Sequence, residues 1–551
     1  MTKVKALKAL IALAIAAGCL FLPYESFGVA LSAVEIRVIA IFVLAALFWI
    51  LEPFPIWTTS MLVIVTMLLT VSDLALELTP PGSDVPVFSL QTDPATGEKF
   101  GNLVSAKGIM ATFADPIIML FLGGFFLAAA ATKYKLDMNL ARFLLKPFGT
   151  NPKFVLLGLM SITALFSMFM SNTATAAMML AILAPVLSLF DESDKGRAAF
   201  ALAIPIAANI GGMGTPIGTP PNAIALKALE DINAGVTFGT WMAFGIPYVI
   251  ILIVASWALL LWLFPISKKS MELQVGGEFL KTPKAIIVYV TFGVTVLLWV
   301  LGKDVVGIDS NVVAMIPMAV FALTQVITKK DLNGMSWDVL WLVAGGFALG
   351  LGLQRTGLAE HLIGAIPFAS WPATVLMVGV GVICLFMANF MSHTATASLL
   401  VPIIAVIGVN VGASLDALGG VVALLVSVAF ASSLGMSLPI STPPNALAHA
   451  TGLVDTKGMA KTGVAIGVAG MVLTYAMMFL LAQLHVFSPV KTDGRVREVA
   501  PENVEMFAPE SVEVDAAGKA HAVPAAPVPV FAPGSVEKDD GSGPADAGAA
   551  R

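Results

Sequence analysis

The chain has 551 residues, of which 58% are hydrophobic and only 12% charged, about half the roughly 25% charged residues of a soluble domain. That is too little charge to clothe the surfaces of about three or four soluble domains, and 30 basic against 35 acidic residues (net −5) leave no cationic field to hold a nucleic acid. Cys19 and Cys384 lie far apart in apolar stretches, which makes neither a disulfide framework nor a zinc site, so the composition is that of an integral membrane protein.

The apolar runs are long and unalternating, as transmembrane helices of about 20 residues require and barrel strands of about 10 do not. In chain order, candidate spans cover 6–22, 34–51, 55–73, 115–133, 154–170, 174–190, 198–210, 241–264, 284–301, 311–328, 338–354, 373–391, 395–410, 419–434 and 463–484. Lys3, Lys5 and Lys8, ahead of and at the start of the first span, place the N-terminus in the cytoplasm. A cleaved signal is the alternative, but the run passes Cys19 and continues through Leu20, Phe21 and Leu22. Lys268, Lys269, Lys281 and Lys284, and then Lys329 and Lys330, fall on the same side if the short pairs around 171 and 392 re-enter without crossing. That gives about 11 crossings in a multi-pass cell (inner) membrane protein, with the C-terminus outside. From about 487 the composition turns to Pro, Ala and acidic residues, with no helical period. Phe507-Ala508-Pro509 recurs there as Phe531-Ala532-Pro533. Such a segment buries too little surface to order itself and is expected to be disordered.

The chain carries a duplication. Gly123-Gly124-Phe125 recurs as Gly345-Gly346-Phe347 (345 − 123 = 222), Ser171-Asn172-Thr173 as Ser392-His393-Thr394 (392 − 171 = 221), and Thr219-Pro220-Pro221-Asn222 as Thr442-Pro443-Pro444-Asn445 (442 − 219 = 223). After an N-terminal span over 1–33, the expected units are a first repeat over 34–265, a second over 266–486, and the tail over 487–551. An odd number of crossings per repeat inverts the second copy, the architecture of many secondary transporters, whose substrate sits between the copies.

The duplicated segments suggest chemistry. Two half-length helices joined at Ser171-Asn172-Thr173 make a re-entrant hairpin, whose hydroxyl and amide oxygens suit a hard cation and whose helix-opening N–H groups suit a carboxylate or sulfate. Four glycines and three prolines over 211–222, and Ser432–Asn445 in the second copy, cannot continue a helix. Their freed carbonyls are expected to meet Na⁺. Pro220, Pro221, Asn222, Pro443, Pro444 and Asn445 are the helix-breaking positions. No Lys or Arg lies between Phe154 and Asp194 or between Pro372 and Thr456, so an anion bound here depends on helix N-termini and bound cations, which ties anion to cation. His393 stands where the first copy has Asn, as a polar tip or a titrating group. Glu52, Asp115 and Asp338 read as caps or interface residues.

These paired tips and paired Thr-Pro-Pro-Asn segments resemble the divalent-anion/sodium symporter family over most of 34–485. The resemblance implies an all-α, inverted-repeat elevator transporter with two re-entrant hairpins, a homodimer in the lipid bilayer, with Na⁺ as coupling ion and no other cofactor. It implies a first sodium site at Ser171, Asn172 and Gly214 and a second at Ser392, His393 and Ser437. Substrate contacts would come from Asn172, Thr173, Ser392, His393 and Thr394, with Thr219 and Thr442 beside them. His393 departs from the family's second tip, Ser-Asn-Thr, which bears on the second sodium site and the substrate. The expected function is sodium symport of a small dianion, most simply a C4-dicarboxylate. Sulfate symport and sodium-independent exchange are the alternatives, and hydroxyls and amides in place of convergent acids and bases argue against an enzyme. Carrying a charge of −2 into a negative-inside cell costs roughly 4.6 kcal/mol at about 100 mV, so at least three Na⁺ would make the cycle electrically favourable.

Overall fold

Side-chain caps and prolines punctuate the apolar sequence into helices. In the computed structural model, residues 3–486 are described apart from 28, 83–85, 188–189, 192–193, 272–278, 360, 362–370 and 485, together with strands at 512–514 and 520–522. After α1 (Lys3–Cys19), the first repeat runs α2 (Ala33–Leu51), α3 (Ile56–Thr70), α4 (Ala106–Ala111), α5 (Pro116–Lys133), α6 (Leu136–Leu145), α7 (Pro152–Ser167), α8 (Asn172–Leu187), α9 (Gly196–Gly212), α10 (Pro220–Asp231) and α11 (Phe238–Leu263). The second runs α12 (Pro283–Val306), α13 (Ser310–Val313), α14 (Met315–Leu323), α15 (Lys329–Asn333), α16 (Trp337–Arg355), α17 (Ala373–Phe390), α18 (His393–Val411), α19 (Gly420–Ser433), α20 (Pro443–Ala450) and α21 (Thr456–Gln483).

The starts follow from local chemistry. Ser32 and Glu35 form a reciprocal capping box on α2. Asp115, Asn151 and Thr442 each cap a helix whose first residue is proline, where the missing N–H costs nothing. Asp115 is thus a cap, as expected. Asp338 makes no cap and sits in the first turn of α16. Glu52 ends α2 in the left-handed region, with φ of 46°.

Every candidate span overlaps a helix, and the helices differ in length. Eight helices among the described residues are long and apolar enough to cross a bilayer, against the expected count of about 11. The arms of the second hairpin, α17 and α18, are 18 and 19 residues long and belong to those eight. The first pair, α7 and α8, has 16 residues each. The amphipathic α6 was not among the expected spans: it buries Leu136, Ala141 and Leu145 and carries Asp137 and Arg142. Between α3 and α4, Glu77–Leu78 pairs antiparallel with Phe88–Ser89.

Packing is reciprocal between the copies. α3 packs on α16 and α14 on α5, while α10 packs on α18 and α20 on α8. Counterparts α11 and α21 meet where Tyr248 Oη donates to Gly470 O at 3.0 Å. On α21, Gly463, Gly467 and Gly470 face inward and Val464, Val468 and Val472 are exposed. Small residues inside and branched ones outside are what a helix between protein and lipid requires. The tail expectation falls on residues that lie largely outside the described ones. Within the tail the described residues are two short strands, Val512–Val514 antiparallel to Ala520–Ala522.

Candidate functional site

The breaks are narrower than the glycine and proline content implied. α9 continues through Gly211 and Gly212, and only residues 213–219 leave the helix. Pro220 and Pro221 do not lie in the unwound stretch. They open α10, as Pro443 and Pro444 open α20, because a residue without an N–H is tolerated only in a first turn. In the second copy the break covers 434–442.

Each break is pressed against its own hairpin. A Cβ added at Gly211 would lie closer than 3.0 Å to the backbone of Ala164 on α7, and one at Gly435 would meet Ala388 on α17 in the same way. Only glycine permits that approach. The counterparts Gly245 and Gly463 bring α11 and α21 onto the carbonyls of Met213 and Gly214, and of Met436.

The freed carbonyls are partly satisfied from within, which modifies the expectation that ions alone meet them. Asn222 Nδ2 donates to Gly212 O (3.1 Å) and Thr215 O (2.8 Å). Asn445 Nδ2 does the same for Met436 O (2.7 Å) and Leu438 O (3.1 Å). Trp241 Nε1 donates to Met213 O at 3.1 Å, and the Thr215 hydroxyl donates to Met168 O. His393 Nε2 lies 2.8 Å from Gly435 O. A carbonyl cannot donate, so that nitrogen carries the proton. In the second copy Asn389 Oδ1 accepts from Ser437 N at 2.8 Å, and Ser441 Oγ donates to Asn389 O at 2.9 Å. In the first copy the Asn172 amide nitrogen faces Ala208 O (3.3 Å), Gly218 O (3.1 Å) and Ser167 Oγ (2.6 Å).

Both tips and both breaks line one cavity of about 380 Å³. Ser171, Asn172, Thr173 and Thr219 reach it from the first copy; Ser392, His393, Thr394 and Thr442 reach it from the second. Thr394 and His393 are 9% and 8% exposed, and Ser392 beside them is half-buried. Gly214 and Ser437 are not in the cavity wall. Among the lining residues there is no Lys or Arg. Among the described residues no three His, Cys, Asp or Glu cluster, so the donors at hand are hydroxyls, amides and backbone carbonyls, which suit a hard cation.

Sodium is tested by what the first copy leaves unsatisfied. Thr175 Oγ1, Asn209 Oδ1 and Asn222 Oδ1 are buried side-chain oxygens without a hydrogen-bond partner, and such groups are costly unless something meets them. They fit an oxygen-coordinated cation. Asn209 lies outside the duplicated motifs. Its Nδ2 reaches across to Thr442 Oγ1 and Asn445 Oδ1, both at 3.3 Å, joining the two breaks. A single amide in the apolar run Ala201–Ile210 was the available signal. Asp338, read as a cap, instead lines the exposed mouth of the cavity.

Known proteins agree with this architecture. Residues 46–419 match the family described as citrate transporter. The chain is 34% identical over 400 residues to an uncharacterized transporter of Haemophilus influenzae, covering 69% of this chain and 84% of that one. It is 28% identical to the sodium-dependent dicarboxylate transporter SdcS of Staphylococcus saprophyticus, covering 82% and 87%. It is 29% identical to the inorganic phosphate transporter PHO87 of Saccharomyces cerevisiae, covering 77% of this chain but only 44% of that one. The solved Alcanivorax borkumensis YdaH transporter shares the fold at a TM-score of 0.50 and 13% identity, over 79% of this chain and 98% of that one. A cavity built twice from hairpin tips and interrupted helices, within a chain that matches over residues 46–419, identifies a membrane transporter and not an enzyme: the chain belongs to the citrate-transporter family.

Proposed function

We propose that the protein is a sodium-coupled importer of a small dianion, a C4-dicarboxylate such as succinate, malate or fumarate. The observation that carries this reading is the meeting of two hairpin tips and two helix breaks at one cavity without a basic side chain in its wall. An anion there draws on the N-terminal ends of α8 and α18 and on a bound cation. Two carboxylates suit two tips: Asn172 and Thr173 take one end, and Ser392 and Thr394 the other. Thr219 and Thr442, at the openings of α10 and α20, flank them. The relatives named as sodium-dependent dicarboxylate transporters support the same substrate class and coupling ion.

The mechanism that fits is alternating access by an elevator motion, with the hairpins and broken helices moving as one body against the remaining helices in a homodimer. The N-terminus is on the cytoplasmic side of the cell membrane, the tail outside, and the hairpins re-enter without crossing. Labelled succinate uptake into proteoliposomes tests the reading. Uptake should require an inward Na⁺ gradient and fall when Na⁺ is replaced by K⁺ or choline; uptake indifferent to that replacement sinks sodium coupling. A tetrahedral oxyanion is the second reading, favoured by the relative named as a phosphate transporter. Competition by sulfate and phosphate, with succinate and citrate without effect, would select it.

A further inference from the structure

The two copies treat their buried oxygens differently. In the first, Thr175, Asn209 and Asn222 each keep an oxygen without a partner. Their counterparts in the second copy are Thr396 (396 − 175 = 221), Ser432 (432 − 209 = 223) and Asn445 (445 − 222 = 223). All three are satisfied. Thr396 Oγ1 donates to Ser392 O at 3.2 Å, Ser432 Oγ donates to Val428 O at 2.8 Å, and Asn445 Oδ1 accepts from Asn209. At the second break Gly435 O takes the N–H of His393 at 2.8 Å. On α18 and α19, Ser398 Oγ, Ser427 Oγ and Ser433 Oγ also lack a partner; Ser398 lies against Gly346 of α16, and Ser433, which adjoins the break, is a single hydroxyl, far short of the roughly six oxygens a hard cation collects.

We propose that only the first repeat binds a coupling cation, and that in the second repeat the ring N–H of His393 stands in the cation's place on Gly435 O. A cation and an N–H make the same demand on a carbonyl, a positive partner along its lone pair, but the N–H is covalently fixed and is not released. Asn172, at the same position in the first copy, turns its amide nitrogen to Ala208 O and Gly218 O and makes no bond to Gly212 O, the counterpart of Gly435 O (435 − 212 = 223), so Asn at 393 would leave Gly435 O free for a cation. The inference rests on the reading of the site as sodium-coupled. It reduces the cations carried by the pair of breaks from two to one and so departs from the expectation of at least three.

The experiment is a count of labelled Na⁺ bound to purified, detergent-solubilised full-length protein at equilibrium. Wild type should bind one Na⁺ per chain, and His393→Asn should bind two. Thr175→Ala should weaken the single wild-type site by about tenfold, and Ser433→Ala should leave it unchanged. Two sites in wild type, or one in His393→Asn with a wild-type melting profile, overturn the proposal, as does a wild type that binds none. If His393→Asn does not fold, Asn445→Asp in the wild-type background is the second probe. It adds a carboxylate at the second break, beside Met436 and Leu438, and should still add no Na⁺ while His393 remains; a second site appearing there overturns the proposal. The count requires no transported anion, so failure of succinate uptake with one Na⁺ bound would discard the substrate and leave this inference standing.

Discussion

The break after α9 is written in glycine and leaves three amide and hydroxyl oxygens waiting. The break after α19 is written in serine, leucine and methionine and closes on itself through His393, Ser441 and Asn389. The path of the backbone is nonetheless similar in both, since Asn222 and Asn445 hold the equivalent carbonyls of Thr215 and Leu438, and Gly211 and Gly435 each lie against an alanine of their own hairpin. Duplication has preserved what shapes the chain and let diverge what the chain presents to ions. Geometry is shared; chemistry is not.

The largest effects should come from the shared part. Gly211→Ala and Gly435→Ala each force a methyl into backbone, and overpacking of this kind costs about 1–3 kcal/mol or more. Both variants should lose most of the folded protein recovered in a thermal-stability assay, and a Gly435→Ala variant as stable as wild type would break the equivalence of the two breaks. Asn222→Ala and Asn445→Ala come next. Each strands two buried carbonyls at about 1–3 kcal/mol apiece, so uptake should vanish in both, measured on protein that still elutes as a single species.

Asn209→Ala sharpens the difference between copies. It removes a bridge whose far ends are in the second copy and an unpartnered oxygen in the first. Sodium affinity should therefore fall by about tenfold or more, read as a shift in half-saturating Na⁺. The smallest effect belongs to the exposed contact between the copies, where Lys133 Nζ meets Asp331 Oδ2 at 2.6 Å. Desolvation opposes ionisation of Asp331, but hydrogen bonds from Lys133 and then from Thr328 hold its pKa at about 2, below its ordinary 3.8. A depressed carboxylate contributes stability above its unfolded pKa and loses it as pH falls through the folded one. Lys133→Ala should thus lower the melting temperature slightly at neutral pH and make no difference near pH 2. As a surface pair it should contribute at most about 1 kcal/mol.

Much of this was legible before any coordinates. Long apolar runs marked the helices, and matched offsets near 222 located both tips and both breaks. Their convergence on one cavity followed from reading the copies as partners. What stayed hidden depended on partners rather than on periodicity. The helix Leu136–Leu145 carries enough charge to escape a search for apolar runs. The ends of the breaks shifted because proline is as welcome in a first turn as it is hostile in a middle one. Which carbonyl His393 reaches, and which oxygens go unanswered around Thr175, are facts of three dimensions that no spacing encodes.

The glycine contacts have a mechanical consequence. Where backbone rests on backbone at Gly211 and Gly435, with no side chain between to act as a bearing, a hairpin and its interrupted helix cannot glide past each other. They are clamped. In the alternating-access motion proposed above, exposure of the cavity to the opposite face of the bilayer would then be taken up at a softer seam. One such boundary is where Lys227 of α10 spans Asp231 (2.5 Å) and Asp115 at the foot of α5 (3.3 Å), ion pairs that can part and re-form without disturbing what is held inside.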